Sequence, residues 1–378
     1  MNKPIAEYVY GLVRAGDIKH TLPFLIYHHR YISTRRLFDL IAEEIRRGSG
    51  TSLQFLISWI TYRYRDFRYK MRVKICELAL YRNVTDVQPD LNRLKLALIR
   101  ANSCKHAIPK AIPSQKNRVA ALMKGDPLTI AIQLRYVNAM YFMQIPLYSI
   151  SKRSGFTDRC RKITAWAASA ILAQTTYKKQ SSVAQQIIGL ANFAKELGDY
   201  ATFWSLIQAF MHHSVNRIKP NWHLPSSVEA LAGHFIEIVE STNNYRNYRQ
   251  ELQAAIVSNK VCIPHLYIYH KDLIFIDDGN LDIVNGELNQ AKLGLLGSIV
   301  HNIRILQERA KTIEQVPVYD YVLNLPHMSD EALDLRSAEL KPVKMSDTNV
   351  SGSIVSARGR APTEESVYVD ITESSSQN

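Results

Sequence analysis

The chain has 378 residues, 46% hydrophobic and 21% charged, and 47 Lys and Arg against 34 Asp and Glu give it a formal net charge of +13. That is an ordinary globular balance with room for two domains. No apolar run of about eighteen residues is present, which excludes a helical membrane span, and the opening MNKPIAEYVYGLVRAGD lacks the charged-then-apolar layout of a secretory signal.

The four cysteines, Cys76, Cys104, Cys160 and Cys262, are too few and too scattered for a disulfide framework. A soluble, thiol-reduced, cytoplasmic protein is expected. The excess charge is uneven. Residues 1–125 carry 23 Lys and Arg against 9 Asp and Glu, whereas residues 126–378 carry 24 against 25. Either an anionic surface faces the first third, or that third has a solvated basic face with no partner.

In chain order, Ser33-Thr34 reads as a cap ahead of a helix over 35–46, with Leu37, Ile41 and Ile45 on one face. Ser49-Gly50-Thr51 breaks the chain before a second amphipathic helix over 51–67, marked by Leu53, Leu56, Ile57, Ile60, Tyr64 and Phe67 at spacings of three and four. Residues 103–127 hold Pro109, Pro113, Pro127 and Gly125 with no acid until Asp126, and read as a linker at a domain boundary. Helical periodicity resumes over 128–144, 160–173, 181–197, 200–213, 226–240 and 287–309. Leu266–Ile276 is ambiguous, since its β-branched and aromatic residues fit a strand or a short helix. From about Val343 the chain is Ser/Thr-rich with few large apolar residues, and a disordered tail over 343–378 is expected.

The motifs of bond-making chemistry are missing. There is no GxxxxGK[ST] loop, no GxGxxG after a strand, no CxxC, HExxH or GxSxG. The pairs His28-His29 and His212-His213 do not converge on one ion if they lie on helices, because adjacent side chains there point to different faces. Neither metal nor cofactor is expected. The composition favours a protein that works by surface contact.

From Asp126 onward an ordered set of motifs appears: Asp126-Pro-Leu-Thr-Ile-Ala-Ile-Gln-Leu134, Trp166-Ala-Ala-Ser-Ala-Ile-Leu172, Ile187-Ile-Gly-Leu-Ala191, Glu196-Leu-Gly-Asp-Tyr-Ala201, Asn216-Arg-Ile-Lys219, Trp222 and Asn244-Tyr-Arg-Asn-Tyr-Arg249. Then come Ile263-Pro-His-Leu-Tyr-Ile-Tyr-His-Lys-Asp-Leu-Ile-Phe-Ile-Asp-Asp-Gly-Asn280, Leu288-Asn-Gln-Ala-Lys292, Gln307, Asn324-Leu-Pro-His-Met-Ser-Asp-Glu-Ala-Leu333 and Glu339-Leu-Lys-Pro342. Each is weak alone. Together, in order, they resemble the catalytic domain of Ras-family guanine-nucleotide exchange factors of the Son-of-sevenless type. Phe24-Leu-Ile-Tyr-His-His-Arg-Tyr-Ile-Ser-Thr-Arg-Arg-Leu-Phe-Asp-Leu-Ile41, Leu53-Gln-Phe-Leu-Ile-Ser-Trp-Ile60 and Asp66-Phe67 are similar to the Ras exchanger motif domain that precedes and braces it.

The resemblance implies an all-α protein of two helical domains. A Ras exchanger motif-like domain would span 1–100, a linker 101–125, and the catalytic domain 126–342, an irregular helical bundle with a protruding helical hairpin. It implies exchange activity on a Ras-superfamily small GTPase of Ras, Rap or Ral type, without cofactor and without nucleic acid. Carried over by motif, Ile274 is an apolar plug near the magnesium site of the GTPase, and Asp278, with its neighbour Asp277, a carboxylate placed where phosphate was. His265, Leu266 and Lys271 along the hairpin, Asn244 and Tyr245, and the Gly198-Asp199 turn are implied GTPase contacts. Residues alone read Asp277-Asp278-Gly279-Asn280 as a turn, and packing serves Leu266 and Tyr245 equally well.

The chain departs from the family at Tyr267, where a glycine is usual, and at His270, where leucine is. Arg135, Asn138 and Gly198-Asp199 also differ, which leaves substrate choice and retained activity open. The alternative reading is a non-catalytic helical module that binds a small GTPase or an anionic membrane. Arg63, Arg65, Arg68, Lys70, Arg72 and Lys74, interleaved with Tyr62, Tyr64 and Tyr69, are its candidate membrane-facing residues. The acidic Ser/Thr-rich tail is weakly similar to secretion signals of bacterial type IV effectors, which would place the protein in a host cytosol.

Overall fold

The computed structural model describes residues 3–16, 18–81, 111–112, 125–150 and 152–341. Most of the expected linker and the whole 343–378 tail lie outside them. The described residues fall into two compact units. One is drawn from 3–81, 146–150 and 269–305, the other from 111–112, 125–145, 152–268 and 306–341. Both are helical, and the fold class is all-α.

The first unit opens with α1 (Lys3–Ala15), α2 (Ile18–Tyr27), α3 (Thr34–Arg46), α4 (Gly50–Arg63) and α5 (Tyr69–Tyr81). The serines expected to punctuate these helices do so. Ser33 Oγ accepts from Arg36 N at the start of α3, and Ser49 Oγ accepts from Ser52 N at the start of α4. Between them Gly48 takes φ +106°, a backbone that residues with a Cβ adopt at a cost. The core gathers Phe24, Leu37, Phe38, Ile41, Leu56, Trp59, Ile60 and Phe67. Trp59 packs edge-on against Phe67 at 4.9 Å and His28 at 5.1 Å, and its indole N–H donates to Asp66 Oδ2 at 3.0 Å. Arg63 holds both oxygens of Asp66 at 2.8 Å and donates to Ile26 O.

Leu288 and Leu293 belong to this same core. Residues 269–305 therefore pack with the N-terminal helices, although the sequence places them in the second domain. Close packing helps to fix them. A Cβ on Gly297 would lie 2.5 Å from Pro23 Cγ, so only glycine lets this stretch approach α2 so closely.

The second unit contains α6 (Pro127–Met143), α7 (Gly155–Leu172), α8 (Tyr177–Glu196), α9 (Tyr200–Met211), α10 (His213–Ile218), α11 (Ser226–Val239) and α12 (Arg246–Val257), closed by α15 (Asp320–Asn324) and α16 (Asp330–Leu340). Asp126 caps α6 through Thr129 N at 2.9 Å with Pro127 in the first turn, and Ser154 and Thr157 form a reciprocal capping box on α7. α9 packs on α7 and α8, and α6 on α8. Phe203, Trp204, Phe235 and Tyr248 are all but fully buried there.

After α12 in the sequence come α13 (Tyr267–Gly279) and α14 (Gln290–Ala310), most of whose residues belong to the first unit, joined by a two-residue antiparallel ladder of β2 (Ile283–Val284) and β3 (Glu287–Leu288). Asn285-Gly286 at the turn take φ of 53° and 82°, the left-handed pair that a tight hairpin needs. β1 (Ala111–Ile112) and β4 (Val318–Tyr319) pair in parallel. The ambiguous Leu266–Ile276 stretch is helical, and the expected helix over 200–213 is broken at His212, whose extended backbone (φ −60°, ψ 131°) ends α9 and caps α10.

Candidate functional site

α13 is best read by faces. Ile268, Tyr269, His270 and Leu273 are buried, which leaves Lys271, Ile274, Phe275 and Asp278 as the opposite stripe at helical spacing. Lys271 and Ile274 are half-buried, Phe275 is 58% exposed and Asp278 is exposed. The Lys271 ammonium lies 5.6 Å from the centre of the Phe275 ring. Ile274 and Asp278 stand one turn apart, about 6 Å along the axis. An apolar side chain and an open carboxylate are thus presented on one accessible face. Phe275 on that face had a sequence signal, its spacing of four from Lys271 and of three from Asp278.

Asp277, the neighbouring candidate carboxylate, is engaged elsewhere. Arg30 grips it with two parallel hydrogen bonds, NH1 to Oδ1 at 2.6 Å and NH2 to Oδ2 at 2.7 Å. Lys292 Nζ lies 3.4 Å from Asp277 Oδ1 and 2.7 Å from Asp282 Oδ1, and Arg30 is 3.6 Å from Asp282. Burial alone would raise the Asp277 pKa, but the Arg30 bonds and both cations outweigh it and hold the carboxyl below the ordinary range. Asp277 is consequently ionised and internally neutralised. Its carboxylate is thus engaged within the fold, whereas that of Asp278 is exposed. No sequence pattern announces a partner 247 positions away.

Lys292 is 3% exposed. Besides its carboxylates it donates to Asn280 O at 2.8 Å and reaches Asp277 O at 3.4 Å. It therefore closes the carbonyl end of α13, where a cation is favoured. His270 is buried on the inward face beside the Ile150 backbone, and burial pushes its pKa down to about 4, so the ring is neutral near pH 7.

The remaining expected contacts lie in the second unit. Asn244 is exposed, and Asn243, Asn244 and Tyr245 all take positive φ, 50°, 56° and 58°. Three successive left-handed residues are costly, above all for tyrosine. Aromatic packing holds them: Tyr245, 8% exposed, sits 5.4 Å from Trp204 and 5.9 Å edge-on from Tyr267. Tyr267, in place of the usual glycine, thus braces the Tyr245 turn. His265 and Leu266 are 5% and 1% exposed. His265 stacks on Trp204 at 5.2 Å, and its backbone N–H donates to the Tyr248 hydroxyl at 2.8 Å.

Asp199 has no exposed surface. Its carboxylate caps α9, accepting from Thr202 N at 3.0 Å, Thr202 Oγ1 at 2.6 Å and Asn138 Nδ2 at 3.0 Å. Asn138 Oδ1 in turn accepts from Arg159 Nε at 2.8 Å, and Arg159 donates to the carbonyls of Val322 and Leu323. Gly198 takes φ +81°, and a Cβ there would meet Val261 O at 2.5 Å. Gly198, Asp199, His265, Leu266 and Tyr245 are all packed within the fold. Asn244 keeps an exposed side chain, whose Oδ1 accepts from Arg249 at 3.4 Å.

Of the candidate membrane-facing residues, Arg65, Arg68, Lys70 and Lys74 are exposed. Arg63 is spent on Asp66 and Ile26 O, and Arg72 donates to Phe67 O at 2.7 Å with its guanidinium 4.3 Å from the Tyr64 ring centre. Among the described residues no group of three or more His, Cys, Asp or Glu side chains is placed to hold a metal.

Residues 129–294 match the RasGEF domain family. The chain is similar to Ras guanine nucleotide exchange factor Y of Dictyostelium discoideum, 24% identical over 276 residues, which is 68% of this chain and 18% of that protein. It is also similar to factor J of the same organism, 26% identical over 356 residues, covering 80% of this chain and 43% of the relative. Cell division control protein 25 of Saccharomyces cerevisiae is 24% identical over 234 residues, 56% and 15% of the two chains. The chain thus spans less than half the length of each of these relatives.

Proposed function

We propose that this chain, which carries a RasGEF domain over residues 129–294, is a guanine-nucleotide exchange factor that promotes GDP release and GTP loading on a Ras-superfamily GTPase of Ras, Rap or Ral type. The observation that carries the reading is the accessible stripe of α13, with Ile274 and Asp278 one turn apart. An exchanger makes and breaks no covalent bond. It binds the nucleotide-free GTPase better than the loaded one, and by linkage it weakens nucleotide binding by the same factor. Ile274 supplies an apolar group that a hydrated cation cannot share. Asp278 accepts hydrogen bonds from groups that held phosphate and repels the departing anion. Lys271 beside them, and Asn244 on the second unit, are further GTPase contacts.

Release of a fluorescent GDP analogue from a panel of Ras, Rap and Ral type GTPases tests this. The wild-type chain accelerates release from at least one. Ile274→Ala with Asp278→Ala removes most of the acceleration while the helical circular dichroism is unchanged. A chain silent across the panel, or a double variant as active as wild type, refutes the assignment.

The exposed bases favour an anionic lipid surface as a second partner. Arg65, Arg68, Lys70 and Lys74 sit on α5 and the turn before it, with Val73 39% exposed among them. Each such base adds about 1 kcal/mol near anionic lipid. No described helix is long and apolar enough to cross a membrane, and the attachment proposed is peripheral. Sedimentation with phosphatidylserine vesicles should fall at high salt and on reversing these four charges. Equal sedimentation of that variant would remove the lipid partner.

A further inference from the structure

We propose that Arg30 is a positioning residue for exchange, holding the last turn of α13 so that Asp278 is presented while Asp277 is kept back. The inference rests on the exchange reading above. Two cations, Arg30 and Lys292, meet two carboxylates, Asp277 and Asp282, in one neutral cluster. The Arg30–Asp277 pair is bidentate, and the two side chains are only 25% and 36% exposed. Such a fork fixes the direction of the carboxylate as well as its distance, which a lysine cannot do.

The base of the clamp is itself rigid. Arg30 ends a single 3-10 turn, His28–Arg30. His28 is fully buried there, with Nδ1 2.8 Å from Leu25 O, Nε2 3.1 Å from Thr34 Oγ1 and its ring against Trp59. The Tyr27 ring lies 5.3 Å from the Arg30 guanidinium. At the other end Lys292 ties the closing carbonyls of α13 to the start of α14. Asp277 and Asp278 are adjacent on the helix, about 100° apart around its axis, so anchoring the last turn at Asp277 holds Asp278 on the accessible face. Without the Arg30 fork, Asp277 becomes a second free carboxylate and the final turn loses one of its two anchors.

The test uses the full chain with Arg30→Ala, Asp277→Asn, the double variant and Arg30→Lys, each titrated against its GTPase to separate kcat from KM. Each single loss should lower kcat about tenfold, the size of one charge-assisted contact, and change KM less than twofold. The double variant should be no slower than either single, because both remove one interaction. Arg30→Lys should recover part of the rate. The melting temperature of each variant is measured alongside. Wild-type kcat in Arg30→Ala, or additive losses in the double variant, overturns the proposal. A loss of rate that follows the melting temperature without lysine rescue also overturns it, as a purely structural role would. If the wild-type chain shows no exchange on the panel, the exchange reading itself falls. If it does and Arg30→Ala matches it, only the positioning role falls.

Discussion

Replacing Asp199 with alanine separates a packing role from a contact role. The carboxylate accepts three hydrogen bonds inside the second unit, with none of its surface exposed. Loss of the helix cap alone costs about 1 kcal/mol. The Thr202 hydroxyl also loses its buried acceptor at 2.6 Å, which adds about 1–3 kcal/mol. Asn138 Nδ2 keeps Thr202 Oγ1 at 2.8 Å, so its loss is partial. Burial raises the pKa of Asp199, and the relief of that strain offsets part of the sum. The net is about 3 kcal/mol, or a fall of about 6–12 °C in the melting temperature of a domain this size. Thermal unfolding followed by circular dichroism reads it. Exchange measured ten or so degrees below the variant's melting point should keep a KM within about twofold of wild type, because the carboxylate is enclosed within the second unit. Unchanged melting together with a raised KM would refute this account and return Asp199 to the GTPase-binding surface.

Two other perturbations report on the same scaffold. Gly198→Ala forces a Cβ to within 2.5 Å of Val261 O in a left-handed backbone, so it should destabilise the second unit by about 2 kcal/mol or more in urea unfolding, and a neutral result would contradict that geometry. His270 contributes a pH dependence of definite sign. Burial lowers its pKa to about 4, opposed by a hydrogen bond with the Ile150 backbone, against 6.5 for the free side chain. Unfolding therefore takes up a proton below pH 6.5, and stability present at neutral pH is lost as pH falls from 6.5 toward 4. The expected change is about 2 kcal/mol between pH 7 and pH 5 from this one ring. His270→Leu should flatten that slope, with His28, whose pKa is also lowered by burial, keeping part of it. An unaltered pH profile in the leucine variant would exclude His270 as a source.

Helix starts were legible because capping is local chemistry. Ser33 and Ser49 each sit before an apolar periodic run and each accepts from the third residue on. The Leu266–Ile276 stretch was ambiguous because one face of α13 is almost wholly buried, which blurs the difference between helical and strand periods. The break at His212 was hidden, since no Gly or Pro marks it. In the site, the Ile274–Asp278 spacing follows from helical geometry once α13 is a helix. The fates of Asp277 and Asp199 do not. An Asp in a Gly-Asp or Asp-Asp-Gly turn has the same local signature whether it faces solvent, caps a helix or meets an arginine, and the donors that decide the matter, Arg30 and Asn138, lie far away in sequence.

The uneven charge takes on a different meaning once the pairs are assigned. Several of the bases in the first third are already spent: Arg30 on Asp277 and Asp282, Arg47 on Glu43 and Glu44, Arg63 on Asp66. Among the described residues of that third, Arg65, Arg68, Lys70 and Lys74 are exposed on and before α5, and Arg14, Arg35 and Arg46 are exposed on other helices. The acids of residues 264–300 divide in the same way. Asp277 and Asp282 are neutralised within the fold, while Asp278 and Glu287 remain exposed. Two ionised carboxylates side by side at a GTPase surface would repel each other and raise the cost of bringing either one out of water. Pairing Asp277 with Arg30 removes that repulsion and leaves a single negative group on the accessible face.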